Sequence, residues 1–129
     1  MAELFRAKTA LTDLAREGAT VKHSHGGGTW AGRAGVHVTF DNGWTVSIQW
    51  GNWTYSDNHN ADRLEDEARD STTAEVACWK GAEEMREWAE GDCVAGWQSW
   101  DQVQRLLDLA AADAMSDPVE LGEGERAHG

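Results

Sequence analysis

Eight tryptophans in 129 residues are the side chains best suited to chemistry in this chain, and the chemistry they suit is binding. A buried indole removes roughly 150–250 Å² from water, and its N–H needs a partner. A domain of this size is therefore expected to keep some rings at its surface. Indoles beside loops stack on bases and nucleotides, and they are enriched at protein interfaces. Trp30, Trp53, Tyr55, Trp79 and Trp97 fall in or beside expected loops, or on a strand face shared with Glu75. With Arg33 as a cation for a small anionic ligand, they form the expected binding set.

Other residue types point to metals or catalysis and carry less. His23 and His25 lie two apart on an expected strand, where side chains of one parity share a face, so they could hold a metal with His37 or His59. A bare His-x-His is a weak signal, and a solvated or hydrogen-bonded pair explains it better; no metal or other cofactor is expected. Asp57-Asn58-His59-Asn60-Ala61-Asp62 lacks the sixth-position glycine and twelfth-position glutamate of a calcium loop, and Asx turns account for it. Cys78 and Cys93 form no zinc or redox spacing and read as small apolar residues of a reducing compartment. Gly26-Gly27-Gly28 is not followed by Lys-Ser/Thr and reads as a loop, not a phosphate cradle. No Gly-x-Ser-x-Gly elbow occurs, and with 23 carboxylates no acid pair is singled out by spacing. No catalytic residue is assigned, and the chain is expected not to be an enzyme.

Charge narrows the partners. The formal net charge is −12, and it is uneven: residues 1–50 hold five basic and four acidic groups, residues 51–129 six and nineteen. Such a field repels nucleic acid and anionic membrane and attracts a basic protein surface. Glu83, Glu84 and Glu87 are the expected acidic surface. Solubility alone, or a GC-rich or salt-adapted host, also explains an acidic chain in which arginine outnumbers lysine eight to three. No apolar run is long enough to span a bilayer, and the first residues lack the layout of a signal peptide.

The elements that must position these residues follow from periodicity. Leu4, Ala7, Leu11 and Leu14 share a helical face, and Gly18 offers a left-handed cap, which predicts a helix over 2–17. Residues 34–50 predict a hairpin. A two-residue Asn42-Gly43 turn would set Phe40 against Thr45. A three-residue Asp41-Asn42-Gly43 loop pairs Phe40 with Trp44, Val38 with Val46 and Val36 with Ile48, which gathers the apolar side chains on one face. His37, Thr39, Thr45, Ser47 and Gln49 then occupy the other face, and Gly43 takes the left-handed bulge position. Thr72–Trp79 predicts a strand with Ala74, Val76 and Cys78 inward. Residues 56–71 read as an exposed loop with a helical turn near 61–69. Residues 82–88 fit helix or strand, and a meander favours the strand. Ser99-Trp100-Asp101-Gln102 is a capping box opening a helix with Val103, Leu106, Leu107, Ala110 and Ala114 on one face, ended by Pro118. Trp44 and Trp50 read as core, and Trp100 as a staple at the start of that helix. The expected fold is α+β: an antiparallel meander built on the hairpin, with N- and C-terminal helices on one face, as a single domain over 1–118. Residues 119–129 read as a disordered acidic tail.

Three blocks carry a resemblance. Phe40 to Gly51, Thr73-Ala74-Glu75-Val76-Ala77-Cys78-Trp79, and Asp92-Cys93-Val94-Ala95-Gly96-Trp97 before a closing helix resemble small proteins of tailed bacteriophages of actinobacteria. The resemblance covers roughly residues 36–110 and leaves out His23–Gly28 and Trp50–Tyr55. It implies phage origin and the host cytoplasm, and it supplies no functional residues, because those proteins have no assigned activity. Three functions remain open. The leading expectation is a non-catalytic protein that binds and inhibits a basic host protein of defence or nucleic-acid handling through an acidic, Trp-rich surface. A Trp-lined pocket for a nucleotide-like signal is the second, and a virion or homo-oligomer subunit with indoles between copies is the third.

Overall fold

Alternating apolar and polar residues on both sides of Asp41-Asn42-Gly43 build the centre of the computed structural model. It describes residues 4–6, 9–24, 29–30, 33–51, 56, 70–88, 92–115 and 119. In chain order the elements are β1 (Phe5–Arg6), α1 (Ala10–Asp13), β2 (Ala19–His23), β3 (Thr29–Trp30), β4 (Arg33–Phe40), β5 (Trp44–Gly51), β6 (Asp70–Ser71), β7 (Thr73–Lys80), β8 (Ala95–Ser99) and α2 (Trp100–Ala111). The main sheet is an antiparallel meander in the order β2-β4-β5-β7-β8, with β3 pairing β4 and a separate β1–β6 pair. The fold is α+β, as the periodicity predicts.

The hairpin has the expected register. Val36 faces Ile48, Val38 faces Val46 and Thr39 faces Thr45. Gly43 has φ +103° and donates its N–H to the Phe40 carbonyl at 2.9 Å. Asn42 ties the turn to the distant helix: its Nδ2 donates to the Ala110 carbonyl at 2.8 Å, while its Oδ1 accepts from the Trp44 N–H at 3.1 Å. A Cβ at position 43 would meet nothing nearer than Lys80 Cγ at 3.7 Å, so a side chain there strains the backbone without crowding its neighbours. Gly43→Val is expected to cost about 1–3 kcal/mol, read as a lower urea midpoint. An unchanged midpoint would refute the left-handed bulge.

One face of the sheet carries the core. Ala34, Val36, Val38, Phe40, Trp44, Val46, Ile48, Trp50, Ala74, Val76 and Cys78 are buried, and α2 lays Val103, Leu106, Leu107 and Ala110 on them. The capping box forms in full: Ser99 Oγ accepts from the Gln102 N–H, and Gln102 Oε1 accepts from the Ser99 N–H. These bonds satisfy two of the amides that a helix start leaves open.

Five expectations at the edges of these elements are corrected. The helix over 2–17 is instead a two-residue strand followed by one helical turn. Phe5, outside the expected apolar stripe, is the anchor, with its ring 5.4 Å from Trp50 and 5.2 Å from Trp100. Tertiary packing overrides the periodicity, and Leu11, on the expected stripe, is exposed. Gly18 is left-handed (φ +78°), but it serves the turn into β2 and not a helix end. Residues 82–87 are irregular instead of a strand, and Trp88 alone forms a parallel bridge, to Val119.

The last helix stops at Ala111, well before Pro118. Asp113 adopts φ +54° beyond its end, with Ala114 N–H bonded to the Leu109 carbonyl and Asp113 N–H to the Ala110 carbonyl. This is a Schellman closure with aspartate where glycine is usual, and it leaves Ala114 exposed. Finally, Val119 is fully buried and donates its N–H to the Glu87 carbonyl at 2.8 Å. The core therefore extends beyond the expected boundary at 118, while residues 120–129 lie outside the described residues, as does the turn expected near 61–69. No helix among the described residues is long and apolar enough to cross a membrane.

Candidate functional site

The sheet register separates the expected binding residues into two groups. Trp30 pairs Arg33, and Arg33 pairs Gly51. Trp97 lies near the same end: Val76 faces Ala95 and Ala74 faces Gln98, so Gly96 and Trp97 together span the place opposite Glu75. Trp53 and Tyr55 lie outside the described residues, and for Trp30 and Arg33 only the backbone is placed. Glu83, Glu84 and Glu87 follow the opposite end, where Trp44 faces Lys80. From Gly51 to Trp44 is seven residues of β5, about 23 Å at roughly 3.3 Å per residue. Arg33 and Trp97 thus lie toward one end of the sheet, whereas Trp79, next to Lys80, lies toward the end that the acidic residues follow.

Trp97 is a backbone outlier. Its φ of +51° places a bulky residue in the left-handed region, at a strain of about 1–3 kcal/mol. It sits in a β-bulge, an irregularity that re-aims side chains where regular pleating cannot. Trp79 stands four residues along β7 from Glu75, about 13 Å by strand rise. It covers the polar face of the sheet, half-buried, with the His37 ring edge-on at 5.5 Å. Thr45 and Ser47 beneath that layer are buried, Thr45 within 3.1 Å of the Thr39 hydroxyl and Ser47 accepting from Gln49 Nε2.

Among the described residues, His23 and His37 lie on opposite faces of the sheet. His23 faces Val36 across β2–β4, on the core side, whereas His37 pairs with Lys22 on the polar side. The sheet stands between them, so His37 cannot join a His23 metal set. His25 and His59 lie outside the described residues, among which no three His, Cys, Asp or Glu groups come together.

The acidic end is the better-built one. After β7, Gly81 (φ +59°) donates to the Gly43 carbonyl, Glu83 N–H to the Lys80 carbonyl and Arg86 N–H to the Cys78 carbonyl. Arg86 turns back, its guanidinium 5.1 Å from the Trp44 ring centre and 2.9 Å from Glu83 Oε1. Trp88 closes the segment in the core, where its Nε1 donates to the Cys93 carbonyl at 3.3 Å. Between these anchors Glu83, Glu84, Met85 and Glu87 are exposed, Met85 by 47%. Sequence reading missed Met85, although a lone apolar residue among charges was the available signal.

Asp113 braces the same corner. Its carboxylate accepts from Trp44 Nε1 at 2.7 Å and from Lys80 Nζ at 3.2 Å. Those bonds, the indole's foremost, and the Lys80 charge hold its pKa below the ordinary aspartate value. A carboxylate depressed on folding stabilises the protein above the unfolded-state pKa, and that contribution disappears as pH falls through the folded-state value. Asp113→Asn keeps an oxygen for the indole. It is expected to flatten the fall in melting temperature below about pH 4, the ordinary aspartate range, relative to wild type. Identical acid profiles would exclude Asp113 from that linkage.

No family model, curated protein or solved structure matches the chain.

Proposed function

We propose that this chain is a non-catalytic, phage-encoded interaction protein that acts in the host cytoplasm by binding and inhibiting a basic host protein of defence or nucleic-acid handling. The observation that carries this reading is the anchored segment 81–87. Four backbone hydrogen bonds and the stacked Arg86 hold it, while Glu83, Glu84, Met85 and Glu87 face solvent. A rigid display of acids around one apolar tip loses little conformational freedom on binding, which favours affinity. The cations beside it are already engaged, Arg86 with Glu83 and Lys80 with Asp113. The outward charge is therefore negative, which suits a basic surface and speeds encounter with it.

The test reverses that charge. Glu83, Glu84 and Glu87 changed together to Lys are expected to abolish capture of a basic partner from host lysate on the immobilised protein. Melting temperature should stay near wild type, because exposed ion pairs contribute little. Wild-type association should slow as salt rises, since screening shortens the reach of the field. Undiminished capture by the reversed protein would remove segment 81–87 from the function.

A further inference from the structure

We infer that the core holds a single internal water molecule at the corner where β5, β8 and the start of α2 meet, bound by Trp50, Gln98 and Gln102. This inference stands apart from the reading of segment 81–87. Trp50 is 1% exposed, Gln98 0% and Gln102 1%, and each has a buried polar atom without a hydrogen-bond partner: Trp50 Nε1, Gln98 Oε1 and Gln102 Nε2. Unpaired polar atoms at such depth are costly, and internal waters are the usual remedy where several converge.

The register brings the three residues to one place. Gln98 faces Ala74, and continuing the β5–β7 ladder by one residue pair beyond Gln49–Glu75 sets Trp50 opposite Ala74 on its other side. Trp50, Ala74 and Gln98 thus form one row on the core face, with the small alanine between two long side chains. Gln102 reaches the same corner, because its Oε1 accepts from the Ser99 N–H at 2.8 Å, one residue from Gln98. Phe5 joins the parts by touching both Trp50 and Trp100, the first residue of α2.

The orientation of each amide is set by a second bond. Gln98 Nε2 donates to the Gly96 carbonyl at 2.9 Å, so its oxygen is the free end. Gln102 uses its oxygen in the capping box, so its NH₂ is the free end. The indole can only donate. Two donors and one acceptor remain, the complement of one water that accepts from Trp50 and Gln102 and donates to Gln98. An ion would leave one sign of partner opposed, and an apolar guest would satisfy none.

The test is water–protein magnetisation transfer by NMR on the ¹⁵N-labelled full chain. Cross-peaks with the sign of a long-lived bound water are expected from Trp50 Hε1 and both Gln102 Hε2 protons. Gln98→Leu should abolish the Trp50 peak by removing the acceptor at similar bulk. Gln104→Leu, altering a different amide of α2, should leave it intact. Absence of the wild-type peaks would overturn the inference even if no variant folded, and persistence in Gln98→Leu would overturn the three-point site.

Discussion

Trp88→Ala is expected to destabilise the protein by about 3–5 kcal/mol, the range for removing a buried aromatic. Trp88 is 1% exposed and fastens three stretches of chain. Its backbone N–H donates to the Asp92 carbonyl, its indole to the Cys93 carbonyl, and its bridge to Val119 brings the C-terminal stretch into the core. Urea unfolding followed by far-UV circular dichroism reads the loss. A midpoint near wild type would mean that this indole is not a core residue.

Trp44→Ala is expected to cost a similar amount, about 3–5 kcal/mol from lost burial alone. Trp44 is 3% exposed, it donates to Asp113, and its ring lies beneath Arg86. Trp44→Phe separates the contributions, because it retains most of the ring and removes only the N–H. It should lose only a small part of that stability, because Asp113 lies at the surface, where solvent screens the bond. Stability equal to wild type in Trp44→Phe would show that the Asp113 bond is dispensable. Trp53→Ala provides the contrast in the same urea series: the expectation that Trp53 belongs to a binding surface predicts a midpoint near wild type, and a loss equal to that of Trp44→Ala would make it core.

Where a signal was local, the sequence carried it. Asn42-Gly43 between alternating strands specifies the hairpin, since a one-residue slip would turn Val36, Val38, Val46 and Ile48 to the wrong face. Ser99 and Gln102 specify the start of α2 by themselves. Long-range signals were not legible. Phe5 abandons helix for a place between Trp50 and Trp100, and nothing in residues 1–17 announces those partners. The end of α2 depends on Trp44 and Lys80, which reward a left-handed Asp113 from far along the chain. The candidate site divided for a similar reason. Face can be read from alternation, but which end of a sheet a residue occupies follows only from the pairing of all the strands, and that pairing parts Arg33 and Trp97 from Glu83, Glu84 and Glu87.

The bulge at Trp97 has a consequence for how copies of this protein meet. An open sheet ends in two strands whose outer amides and carbonyls invite another chain, and long flat edges of this kind polymerise. On one side β8 spans only five residues and is broken by a left-handed residue, so a second strand cannot follow it in register. On the other, β2 and β3 divide the rim of β4 between them, and Lys22 is exposed on β2. Among the described residues both rims are interrupted, an arrangement that disfavours edge-to-edge growth of a sheet rich in valine, isoleucine and tryptophan.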